Sequence, residues 1–142
     1  MAEASAPVLG EQGKQAPVRV CRSDELAERG QAQLFEVVQY RQPVRAFVLR
    51  HEGRVVAYLN RCVHVPTEMD WQPGQFLDSD REFIICSIHG ASYHAQSGRC
   101  VGGPCGRGQL TALQVEERDG QVYWYPSHDI RPAVVPKPES PP

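Results

Sequence analysis

From Val18 to Leu59 the apolar residues gather in stretches of four to six, three of them broken by one charged residue, and none keeps the period of a helix face. The pattern predicts strands over Val18 to Cys21, Leu34 to Val38, Val44 to Leu49 and Val55 to Leu59. Ser23-Asp24-Glu25-Leu26 reads as a capped helical turn stopped by Gly30. His51-Glu52-Gly53-Arg54 supplies a turn between the third and fourth runs. Further on, Phe83 to Ile85 is continuously apolar and reads as a buried strand. Leu110 to Val115 and Val122 to Tyr125 flank Asp119-Gly120, the strongest hairpin signal in the chain. With strands throughout and no long helical period, the expected class is all-β.

At 142 residues and 41% hydrophobic content, one modest core in a single domain is expected, spanning 17 to 126. Residues 1 to 16 lack periodicity, and 131 to 142 hold five prolines, so 1–16 and 127–142 read as disordered tails. The net charge of -2 offers no basic surface for nucleic acid. No apolar run approaches the length of a secretion signal core or a membrane span, which leaves the cytoplasm as the expected location. In that compartment Cys21, Cys100 and Cys105 are expected as free thiols, with the last two bracketing Gly102-Gly103-Pro104 as small packing residues of a tight loop.

The chemistry gathers in two short clips, Cys62-Val63-His64 and Cys86-Ser87-Ile88-His89. Each puts a Cys and a His two or three residues apart, beside a turn-forming Pro66 or Gly90, so two loops can aim two thiolates and two imidazoles at one metal centre. A structural zinc site uses the same donors, but usually as a Cys pair followed by a His pair, and it ranks second. Unligated residues of a buried loop rank third.

Cys-x-His, then Cys-x-x-His with Gly90 directly after it, resembles the Rieske family. Gly90-Ala91-Ser92-Tyr93, Ser97-Gly98-Arg99 and Gly102-Gly103-Pro104 follow in the family's order of ligand loop, turn and proline-containing cover loop, so the resemblance runs over roughly 17 to 126. It implies a sheet-built base of antiparallel strands carrying a small two-loop subdomain that binds one [2Fe-2S] cluster. Cys62 and Cys86 would hold the inner iron, His64 and His89 the outer one. It also implies reduction in a window of about -150 to +300 mV, against about -400 mV for all-Cys plant-type ferredoxins.

Departures from the family pattern narrow the subtype. Respiratory members brace their loops with a disulfide, but Thr67 and Ile88 stand at the matching positions. Their serine donor is Ala91 here, whereas Tyr93 matches a second donor to a Cys sulfur. The 21 residues between His64 and Cys86 are longer than ferredoxin members usually carry. Within 65 to 82, Glu68, Asp70, Asp78, Asp80 and Glu82 face Arg81 alone. An acidic docking face and an ordinary solvated loop are level readings of that stretch.

The function expected is a freestanding carrier passing electrons between a flavin reductase and a terminal oxygenase or other redox enzyme, with no small-molecule substrate, nucleic acid or membrane among its partners. An oxygenase subunit would need a second domain whose iron is held by two His and a carboxylate; outside the clips only His51, His94 and His128 remain, and the hundred-odd further residues for such a site are not expected here. The alternative is a small subunit permanently docked in a larger redox enzyme, as in assimilatory nitrite reductase.

Overall fold

Alternation along two adjacent strands builds two cores at once. The computed structural model describes residues 16–63, 67–88 and 90–133. Its strands are β1 (Val18–Arg22), β2 (Gln33–Gln39), β3 (Gln42–His51), β4 (Arg54–Leu59), β5 (Phe83–Ile85), β6 (Ser92–His94), β7 (Cys100–Gly102), β8 (Ala112–Arg118), β9 (Gln121–Tyr125) and β10 (Ile130–Pro132). On β3, Val44, Ala46 and Val48 pack into one buried cluster with Val37, Val122 and Trp124, while Phe47 and Leu49 join a second. On β4, Ala57 and Leu59 share the first cluster and Tyr58 enters the second. Strands buried on both faces explain the near-continuous apolar runs there.

The strands form a seven-stranded sheet in the order β1-β9-β8-β4-β3-β2-β10 and a three-stranded sheet in the order β5-β6-β7. Every strand pair is antiparallel. The larger sheet curls on itself, bringing Phe35 of β2 to 5.8 Å from Trp124 of β9, centroid to centroid. The smaller sheet seats on β3 and β4. Phe76 stacks on Phe47 at 3.7 Å, and the buried Tyr58 hydroxyl donates to Ala95 O at 2.7 Å. This is the all-β base with a smaller attached unit that the sequence led one to expect.

Two boundaries differ from expectation. The turn after β1 is a short 3₁₀ element, Ser23–Glu25, in which the Glu25 carboxylate accepts from Arg22 N at 2.7 Å. The stretch read as a C-terminal tail from 127 begins with structure: β10 pairs with β2, and Ile130 is buried. Pro132 closes that edge strand, where a missing N–H costs little. The remainder of that tail, from 134, and residues 1–15 lie outside the described residues. Among the described residues no helix is long and apolar enough to cross a membrane.

Candidate metal centre

β4 delivers the chain to the first clip and β5 to the second. After β4, Cys62 N donates to Thr67 O at 2.9 Å and closes the first loop at its base. After β5, Cys86 N donates to Ala91 O and Gly90 N to Cys86 O, both at 2.8 Å, so the second loop is a tight turn. Cys62, Cys86 and Ala91 are buried in one cluster with Tyr93. The two cysteines identified from the sequence are thus brought together, whereas His64 and His89 lie outside the described residues.

Tyr93 of β6 sits between the loops. Its hydroxyl accepts from Val63 N at 3.2 Å and lies 3.7 Å from Cys62 Sγ, so its single O–H is available to the sulfur. Burial, and then the neighbouring Cys62 and Cys86, push the phenol up to about 12 and keep it a donor. The sequence-level match of Tyr93 to a sulfur donor therefore has its geometry here.

The loops are also tied to each other through the segment between them. Ser87 N donates to Met69 O at 2.9 Å, and Met69, wholly buried, is held in turn by Asn60 Oδ1, which accepts from Met69 N at 2.8 Å. Asn60 Nδ2 donates to Asp70 Oδ1 at 2.8 Å, and Asp70 Oδ2 accepts from Gly74 N. Sequence reading missed Asn60, whose only signal is a polar residue at the end of a buried strand directly before a clip.

The carboxylates of the segment between the clips are largely bonded. Glu82 pairs with Arg29 at 2.7 Å and Glu68 with Arg45 at 3.7 Å, both arginines coming from outside the segment. Asp70 accepts from Asn60 Nδ2 and Gly74 N, and Asp78 accepts from Glu82 N and Phe83 N. Four of the five carboxylates thus have bonding partners, while Asp80 is exposed, and Trp71 beside them is exposed at 76%.

Cys100 and Cys105, expected as free thiols, are a disulfide. The turn at Gly102-Gly103-Pro104 folds the chain back until their Cα atoms are 5.8 Å apart, within the ordinary span of such a bond.

A curled antiparallel sheet and a three-stranded unit that together bring two cysteine loops to one buried cluster define a β protein with a candidate metal centre. The match to a family model settles which kind: residues 16–128 fit the Rieske [2Fe-2S] domain, and the chain belongs to that family. No curated protein is similar to it in sequence at a significant level. Among solved structures it is similar to the ferredoxin of carbazole 1,9a-dioxygenase from Nocardioides aromaticivorans IC177, at 23% identity and TM-score 0.62 over 78% of this chain and 97% of that one. The terminal oxygenase of the same system matches at 22% identity and TM-score 0.61, over 83% of this chain but 32% of that one. A complex of reduced oxygenase and oxidised ferredoxin of carbazole 1,9a-dioxygenase matches at 21% and TM-score 0.59.

The family's group is one [2Fe-2S] cluster, and the described residues fit it. Soft sulfur donors from both loops share a dry cluster of residues, a hydroxyl donor stands at one sulfur to offset charge there, and backbone bonds hold both loop bases.

Proposed function

We propose that this protein is a one-electron carrier, taking electrons from a flavin reductase and passing them to a terminal oxygenase or another redox enzyme. Cys62 and Cys86 hold one iron in this reading, and His64 and His89 the other. The cluster, when bound, accepts and returns a single electron. What the chain itself does is fix two loops, exclude water from the sulfurs, and hold a hydroxyl proton beside Cys62. The observation that carries the reading is the convergence of both buried cysteines on Tyr93 in a chain of the Rieske family. The ferredoxin likeness, covering 97% of that chain, supports a carrier over an oxygenase subunit. The cytoplasm, beside a soluble reductase, is the location proposed, to be checked by fractionation.

Metal analysis tests the centre. Protein made with iron and sulfide is expected to be red-brown, to hold about two irons and two sulfides per chain, and to take up one electron. Ala at Cys62, His64, Cys86 or His89 abolishes the colour, since a ligand has no substitute nearby. One tightly held zinc without acid-labile sulfide overturns the assignment.

A second reading, a subunit held permanently in a larger enzyme, draws on the exposure of Trp71 together with Val63 and Ile88 beside the clips. Co-purification with a catalytic chain that survives dilution decides for the subunit, and a carrier elutes alone.

A further inference from the structure

The Cys100–Cys105 bond lies where it can govern access to both cysteine loops. It closes a loop with a sequence separation of only five, so it contributes little to holding the two cores together. Its effect is local. Within the loop, Gly103 presses on the second clip so closely that a Cβ there would lie 2.7 Å from Gly90 O and 2.9 Å from Ala91 Cα. A Cβ at Gly108 would meet Val63 of the first clip at 2.3 Å. Cys100 N donates to Gly108 O at 2.9 Å and Gly108 N to Cys105 O at 2.8 Å, which join the two contacts into one cover. Cys105 itself is buried in the same cluster as Cys62 and Cys86.

We propose that Cys100 and Cys105 form a reversible thiol–disulfide site, closed as a clasp over the two clips and opened by a dithiol reductant. The proposal rests on the cluster reading above. In the cytoplasm proposed above, a disulfide is more often a switch than a staple. Both redox forms of the pair find partners: Gly102 O lies 3.2 Å from Cys105 Sγ and 3.6 Å from Cys100 Sγ, ready to accept from thiols once the bond is cut. Cys100 is only half-buried and Val101, Gly103 and Pro104 around it are exposed, so an attacking thiolate can approach.

The step balances with a dithiol. One thiolate attacks Cys100 Sγ, the S–S bond breaks, and the electron pair leaves on Cys105 Sγ, which takes a proton. The reagent's second thiolate displaces Cys100 Sγ, which is protonated in turn, and the reagent departs as its own disulfide. The protein has gained two electrons and two protons. Residues 101–105 are then free to lift from Gly90 and Ala91, opening the sulfurs of Cys62 and Cys86 to solvent.

The experiment follows bleaching of the visible absorbance by an iron chelator, in the cluster-loaded protein before and after dithiothreitol and in Cys100→Ser/Cys105→Ser. Reduction is expected to speed cluster loss at least about fivefold, as the clasp's hold on the open chain is removed. The double variant should lose its cluster at the fast rate with or without the reductant. Peptide mapping after denaturation without reductant should find the 100–105 link in the parent. Its absence overturns the proposal, as does an equal rate in both redox forms, or an acceleration that persists in the double variant and so marks attack by the reagent on the cluster. If no variant takes up iron and sulfide, the cluster reading itself fails. Limited proteolysis near 100–108 then still tests the clasp, and an identical cutting pattern before and after reduction overturns it.

Discussion

Tyr93 bonds the first clip and shares a buried cluster with the cysteines of both. It is wholly buried, it satisfies Val63 N, and it stands at hydrogen-bonding distance for a sulfur acceptor from Cys62. Tyr93→Phe keeps the ring's packing and deletes only the hydroxyl. A donor to a ligand sulfur favours the reduced, more negative state, so its loss is expected to lower the reduction potential. A hydrogen bond worth about 1.4 kcal/mol more in one redox state corresponds to about 59 mV for one electron, so a fall of some tens of millivolts is expected by voltammetry. An unchanged potential at full cluster content would mean that the hydroxyl serves Val63 alone. Ala91→Ser is the converse test: residue 91 is wholly buried beside both cysteines, and a hydroxyl there should raise the potential by a similar order. Tyr93 and the cysteines were legible in the sequence because motif spacing marks them. Asn60 was not, because its role depends on Met69 and Asp70 being folded back against it, which no local pattern encodes.

At the scale of elements, the long paired strands and the wholly apolar β5 were readable, whereas β6, β7 and β10 were not. β3 and β4 announce themselves by runs of apolar residues, and the β8–β9 hairpin by Asp119-Gly120, whose φ values of 54° and 77° are those a tight two-residue turn demands. β6 and β7 have three residues each, and what stabilises them is their place between β5 and the cover loop rather than any propensity of their own. β10 was hidden by the proline-rich composition around it. The cover loop yields a paired test. Gly103 and Gly120 share a left-handed backbone, at φ 83° and 77°, but a Cβ at Gly120 meets nothing within 4 Å whereas one at Gly103 strikes the second clip. Gly120→Ala should cost about 1 kcal/mol from backbone strain alone. Gly103→Ala should cost roughly 2 to 4 kcal/mol and reduce retained iron, because the neighbour it strikes is backbone and cannot turn aside. Denaturant unfolding with iron analysis separates the two, and equal costs would show that the cover does not press on the clip.

For the whole molecule, one ion pair ties together parts that no hairpin connects. Arg50, near the end of β3, bonds Glu117 of β8 at 2.6 and 3.0 Å while its guanidinium also donates to Leu26 O and Ser23 O, so one side chain reinforces the backbone bond from Ser23 N to Gly120 O that seats the turn after β1 on the large sheet. The hydrogen bond from Arg50, foremost, draws the Glu117 carboxyl down to about 2 from a usual 4.5. A carboxyl whose pKa is depressed in the folded state contributes stability that is fully present above about 4.5 and is lost as pH falls toward about 2. Glu117 is about a third exposed, which screens the pair, so Glu117→Gln is expected to cost about 1 to 2 kcal/mol at neutral pH. The gap between the variant and the parent should narrow below pH 4.5 and close only below about pH 2, once the parent's own carboxylate is mostly protonated. Urea unfolding of both proteins across that acid range, each without its cluster, measures the gap directly. A difference that stays constant from neutral to acid pH would show that Glu117 acts through packing rather than charge.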